Sequence, residues 1–393
     1  MADKKLVSAW KGLNNVGEYT RVGIESLAVA DNVDVTDTGR IETREGFTRR
    51  ITSPMTGGFS TKDHQRAYVV ASGWVCRVTP DMQLVQLHQL NADGRMHWAQ
   101  VNNDVYFSNG VDYGRISEDD AFTPWALGVP SPVVLAAVQG NSTPGRYQVA
   151  CTYVMADGRE SGAGPAQTIT LTDGKAISIS GISQKAEAST RVYVTPADSS
   201  VFGLAGVTAS TSMTVNVNPD DLGEALQTQF LYDIPEGCTV IEHFKGRMYA
   251  GMYMPSSNAS FIWYSRPMQP HLFDEAEDFI AVPGQVHMLA DAGDALLIGT
   301  SQGIHAYNEE SLSELAPYGV TSGWPFAIDP DTKKVLMWTQ RGICRGLPFE
   351  NLTQNTVSVP PGMQAGMAVI QRDGDKRLIT TLVDGGNSFN QRL

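Results

Sequence analysis

From about residue 66 onward, short apolar or alternating runs follow one another, each closed by a polar turn. Runs this short and closely spaced predict strands rather than helices. Ala67–Ala71 and Trp74–Val78 form one pair, with Leu84–Leu87 behind them. Asp104–Ser108 and Gly114–Ile116 flank Asn109-Gly110, a dipeptide that tolerates positive φ and marks hairpins. The theme returns four times after residue 239, in Arg247–Met252 with Phe261–Ser265, Ala295–Thr300 with Gly303–Tyr307, Val335–Thr339 with Gly342–Gly346, and Met367–Gln371 with Arg377–Leu382. The pattern predicts about six sheet units of roughly 30–40 residues, the period of propeller blades. It repeats in the order of turn and strand rather than in identical residues, so a pair of β-sandwiches stays open as the alternative fold.

Two stretches depart from this rhythm. Within 131–238, Gly145–Val154 alternates at period two and turns at Ala156-Asp157-Gly158; Gln167–Thr172, Ala176–Ser180, Arg191–Thr195 and Met213–Val217 follow at short spacing. That density predicts a compact β-sandwich inserted between the second and third units. Residues 1–50 are rich in Asp and Asn beside glycine, residues that turn the chain through side-chain bonds to the backbone. They predict an extended arm with a first strand. The expected division is therefore an arm (1–50), the first blades (51–130), the inserted sandwich (131–238), and the remaining blades with a C-terminal tail (239–393). The fold class is all-β.

Composition narrows the function. The net charge is −13; residues 1–50 carry 8 basic and 8 acidic side chains, and every later region is net acidic. A tight grip on nucleic acid needs a basic surface, which is missing. The four cysteines lie far apart beside apolar runs, which predicts buried thiols. Lys4-Lys5 is followed by only Leu6-Val7 before polar residues, and the longest apolar run is Val133–Val138. The expectation is a soluble chain, without a secretory leader or membrane insertion of its own, that folds in a reducing cytoplasm.

Candidate chemistry is sparse. The seven histidines show no ligand spacing, and G-x-S-x-G, Walker A and dinucleotide patterns are missing. Asp274-Glu275-Ala276-Glu277-Asp278 reads as a solvated face, and Trp263-Tyr264-Ser265-Arg266 as a strand end packing into its neighbour. Asp34, Asp37 and Gly39 lack calcium-loop spacing and read as a turn. No catalytic, cofactor or metal residue is predicted, and no enzyme activity.

Several runs resemble the tail-nozzle and head-completion propeller proteins of short-tailed bacteriophages, the tail tubular protein B or DNA-stabilisation family. At the amino end these are Gly12-Leu13-Asn14-Asn15, Asn32-Val33-Asp34, Asp37-Thr38-Gly39-Arg40, Arg44 and Gly46, with Glu45 where the family usually has Pro. In the insertion, Tyr147, Thr152-Tyr153-Val154, Asp157–Ser161 and Arg191-Val192-Tyr193 are similar to its fibronectin-like module. Phe244–Ala250 and Trp263-Tyr264-Ser265 resemble its return to the propeller. The resemblance implies a structural virion protein of the tail, made in the bacterial cytoplasm. Six copies would form a ring below the portal and adaptor, line a conduit, and retain and then release the genome. Double-stranded DNA would pass without sequence-specific binding, and the acidic charge suits a lumen to which it does not adhere.

Two further readings are a carbohydrate-recognising or sialidase-like propeller of a tail fibre, and a minor structural protein of a long-tailed phage. The first should show clustered aromatics or Asp-box repeats, which are missing. Leu6, Trp10 and Leu13 are candidate assembly contacts, because apolar anchors on a charge-balanced arm gain more by docking than by folding alone. The competing reading of the arm is a closing strand tucked onto the chain's own propeller.

Overall fold

The computed structural model describes residues 7, 9–18, 21–36, 38–44, 46, 48–372 and 375–383. Among the described residues there is no α-helix, only a 3-10 turn at Pro219–Asp221. An amino-terminal hairpin, β1 (Val33–Val35) with β2 (Ile41–Thr43), precedes the main sheets. The first sheet is an antiparallel meander of β3 (Met55–Ser60), β4 (Ala67–Ala71), β5 (Trp74–Val78) and β6 (Leu84–Gln89). Ser72 and Gly73, both at positive φ, form the two-residue turn between β4 and β5. The second sheet repeats the meander with β7 (His97–Val101), β8 (Asp104–Ser108), β9 (Tyr113–Ile116) and β10 (Phe122–Pro124).

The insertion follows: β11 (Val134–Ser142), β12 (Gly145–Met155), β13 (Gln167–Leu171), β14 (Lys175–Ser180), β15 (Ala188–Val194), β16 (Gly203–Thr208) and β17 (Ser212–Val215). It forms two sheets, β11-β14-β17 and β13-β12-β15-β16. Tyr147, Val149 and Cys151 from β12 meet Ile177 and Ile179 from β14 between them, with Val192 and Val194 from β15. The period-two alternation of these strands thus builds a sandwich with its own core.

The chain then returns to meanders. β18 (Val240–Phe244), β19 (Arg247–Met254), β20 (Ala259–Arg266), β21 (Gln269–Phe273) and β22 (Phe279–Pro283) form one sheet, and β23 (Val286–Asp291), β24 (Leu296–Thr300), β25 (Ile304–Tyr307) and β26 (Leu312–Ala316) the next. After β27 (Ser322–Trp324) comes a sheet of β28 (Phe326–Ile328), β29 (Val335–Thr339), β30 (Gly342–Arg345) and β31 (Glu350–Asn351). The terminal hairpin, β32 (Gln364–Arg372) with β33 (Asp375–Val383), takes β27 as a parallel partner on β32. Gly323 permits that pairing: its φ is +125°, and a Cβ there would lie 2.0 Å from the Ala365 carbonyl oxygen.

Apolar clusters join each sheet to the next. Val70 and Val75 meet Trp98 and Phe107 between the first two sheets; Tyr106 and Trp125 meet Ile241 and Met248 at the second junction. Phe244 and Ile262 meet Leu289 and Ile298 at the third, Ala290 and Leu297 meet Phe326 and Met337 at the fourth, and Trp338 meets Met367 at the fifth. Face-to-face succession of meanders makes this an all-β, propeller-like fold carrying an inserted sandwich and an amino-terminal arm. All four cysteines are buried and unbridged in this packing.

Candidate functional site

The arm is the first place where signature residues converge. Leu6 and Asp37 lie outside the described residues. Trp10, half-buried, donates its backbone N–H to the Gly39 carbonyl at 2.8 Å. Gly39 sits at φ +76°, and a Cβ there would come within 2.5 Å of the Ala9 Cβ, so only glycine lets the two segments close. Leu13, also half-buried, bridges to Leu27, and the next N–H, on Asn14, donates to the Leu27 carbonyl at 2.7 Å. The Asn14 side chain accepts from the Gly17 N–H, closing a local turn. Asn32, at φ +54°, accepts the Arg44 N–H through its carbonyl. Arg40 bonds Thr36 across the β1–β2 turn and is otherwise exposed, as is Gly46, where nothing in the structure requires glycine.

Two of these residues reach across the molecule. The Asp34 carboxylate accepts from Arg44 Nε at 3.1 Å and from Arg377 on β33 at 2.6 Å. Asn15 grips Ser358 with both ends of its amide: Nδ2 donates to the carbonyl at 2.9 Å, and Oδ1 accepts the N–H at 2.7 Å. The arm is therefore clasped to the C-terminal part of the chain. Sequence patterning singled out Asp34 and Arg44; it had no signal for Arg377 or Ser358, whose partners are set by where the arm lies on the C-terminal part of the chain.

A second polar set lies on the first strands of successive sheets, where β7, β18 and β23 pack side by side. His97 is buried with its ring 5.5 Å from that of Trp324. Burial, then the nearby Arg95, lowers the His97 pKa to about 3 and that of His287 to about 4, so both are neutral at neutral pH. On β18, burial raises the Glu242 carboxyl to about 8. Gln100 accepts the Lys62 N–H at 2.8 Å. Among the described residues, no group of three or more His, Cys, Asp or Glu is placed to hold a metal ion.

A third set locks the insertion to the propeller. Arg115 bonds Asp104 at 2.8 Å and Asp157 at 2.7 Å, and Arg159 bonds the same Asp157 oxygen at 2.8 Å. Trp125, fully buried, joins the two chain segments on either side of the insertion by donating to the Pro270 carbonyl at 2.8 Å. His271 Nε2 donates to the Glu160 carbonyl at 3.0 Å. The acidic run at 274–278 is less solvated than expected, because Asp274 and Asp278 both hold Arg266. Trp263 lies within β20 rather than at its end, and packs against Phe261 on the same strand and Phe279 on the paired β22.

These features define a class: a β-propeller-like protein whose polar clusters tie its own parts together. No family model matches the chain, and no curated protein matches it. Its strand arrangement is similar to several solved structures. The extracellular domain of a hybrid two-component system from B. thetaiotaomicron is 9% identical with a TM-score of 0.32, over 80% of this chain and 35% of that one. Kuenenia stuttgartiensis hydrazine synthase is 9% identical with a TM-score of 0.38, over 87% of this chain and 100% of that one. The RRP9 WD40 repeats are 8% identical with a TM-score of 0.34, over 81% and 86%. This chain thus spans about a third of the first of these, and similarity at this level carries nothing about function.

Proposed function

We propose that the chain is a structural, non-enzymatic virion protein of a short-tailed bacteriophage. In this reading it is a subunit of the oligomeric nozzle, six copies to a ring, at the head–tail connection below the portal and adaptor. The sheets act as blades, stiff because each is packed face to face on the next, and the ring encloses the path of genome ejection. One observation carries the reading. Asp34, a residue of the tail-nozzle resemblance held in place by Arg44, another such residue, forms with Arg377 the clasp that ties the arm to the terminal hairpin, on a chain with a sandwich inserted among its blades.

The test is to image the purified protein and the virion tail by electron microscopy. Rings with a central channel are expected, matching a layer of the tail. Single particles at every concentration, or a virion without such a layer, would overturn the proposal. Deleting residues 1–15 then tests the arm: if Leu6, Trp10 and Leu13 make assembly contacts, the truncated chain folds but does not enter tails.

A further inference from the structure

Five junctions between successive sheets are filled by buried apolar clusters. The remaining one, where the β32–β33 hairpin meets the first sheet, instead contains a cavity of about 740 Å³. One wall is the hairpin face bearing Gly366, Ala368, Ile379 and Thr381; the other is β3, with Val70 and Met96 behind it. β3 is bulged here, its register shifting between Thr56 and Phe59, so Gly57 and Gly58 leave the ladder beside the cavity. Bulges of this kind re-aim a strand next to a binding site.

We propose that this cavity binds a small amphiphilic carboxylate, an anionic head on an apolar body, with Arg95 as the anchor. Arg95 lines the cavity half-buried, and among the described residues no carboxylate lies within ion-pair distance of it. Its hydrogen bond is to the Gln364 side chain across the junction, at 3.4 Å. The other charged group on the wall, Asp93, is exposed to solvent. A partly desolvated guanidinium without a counter-ion is costly, and a fork of donors fits a carboxylate better than any neutral head. Arg95 is the one cationic side chain among the residues lining the cavity, with the exposed Asp93 carboxylate on the same wall, which favours a monoanion over a dianionic phosphate monoester. Trp324 and Ile379 supply the apolar contact, and the volume lies within the range of small-molecule sites. This inference does not depend on the virion reading.

The test is calorimetry on the full chain with 4-phenylbutyrate as probe and 4-phenylbutanol as its neutral counterpart. The acid should bind, and Arg95→Gln should weaken it by about tenfold or more while leaving the alcohol unchanged. Arg95→Gln should fold at least as well as the parent, since the charge it removes has no carboxylate within ion-pair distance among the described residues. Ala368→Trp, which fills the cavity from an exposed wall position, should abolish binding of both. No binding of the acid at about 1 mM, equal binding to Arg95→Gln, or binding that survives Ala368→Trp would each overturn the proposal. So would light scattering that shows concentration-dependent self-association lost in Arg95→Gln, because the occupant would then be a second copy.

Discussion

Asp34 on β1 and Arg377 on β33 lie 2.6 Å apart although 343 positions separate them in sequence. Asp34 is well covered while Arg377 is nearly half exposed, and the same carboxylate also holds Arg44. The contact ties the arm to the terminal hairpin.

The first prediction follows from that pair. A double-mutant cycle with Asp34→Asn and Arg377→Gln should give a coupling of about 0.5–1 kcal/mol, since partly exposed ion pairs are weak. The effect should be concentrated locally: amide exchange at Trp10, Asn14 and Leu27 should accelerate in either single variant. Strictly additive unfolding energies with unchanged exchange would show that the clasp does not hold the arm.

The second prediction concerns acid. Burial lowers the His271 pKa to about 4 from 6.5, so the folded state stays neutral where the unfolded chain takes up a proton. Its contribution is present in full above pH 6.5 and lost as pH falls through 4. Burial alone would raise Asp157, but hydrogen bonds from Arg115 and Arg159 outweigh it and hold the group down to about 2, against 3.8. Its share is present above pH 3.8 and lost as pH falls through 2. Glu242, raised by burial to about 8, acts in the opposite sense between pH 4.5 and 8, so wild type must be compared with a variant rather than read alone. His271→Gln should flatten the dependence of the urea midpoint on pH between 6.5 and 4. Parallel curves for the two proteins would mean that His271 titrates normally.

The third prediction isolates the parallel pairing. Gly323→Ala places a Cβ against the Ala365 carbonyl at a φ that side chains rarely adopt, and should destabilise by about 2 kcal/mol or more. Gly46→Ala, where the added atom meets nothing within 4 Å, should stay within about 0.5 kcal/mol of the parent. Urea unfolding checks both. Equal midpoints for the two variants would remove β27 from the closure of the terminal sheet.

Much of the strand framework was legible in the pattern of residues. Ala67–Ala71 and Trp74–Val78 coincide with β4 and β5, because β-rich runs around a Ser-Gly turn leave the backbone few alternatives. The first strands of the sheets were harder to read. His97–Val101, Val240–Phe244 and Val286–Asp291 carry His97, Glu242 and His287 among apolar residues, so their alternation is blurred. His97 meets the Trp324 ring on β27, and the burial of Glu242 and His287 arises only after the sheets have come together.

The sequence by itself determined what is decided within a few residues: which runs extend, where glycine and asparagine turn the chain, and that an alternating segment interrupts the meanders. Only the tertiary structure decided what depends on closure. It paired Ser322 with Gln364 in parallel, brought Asp34 to Arg377, and set Arg95 on the wall of a cavity with Gln364 as its hydrogen-bond partner. Turn and strand preferences arise from local sterics, which each residue carries with it. Contacts across most of the chain arise where the last sheet meets the first, and no local pattern encodes how that junction fills.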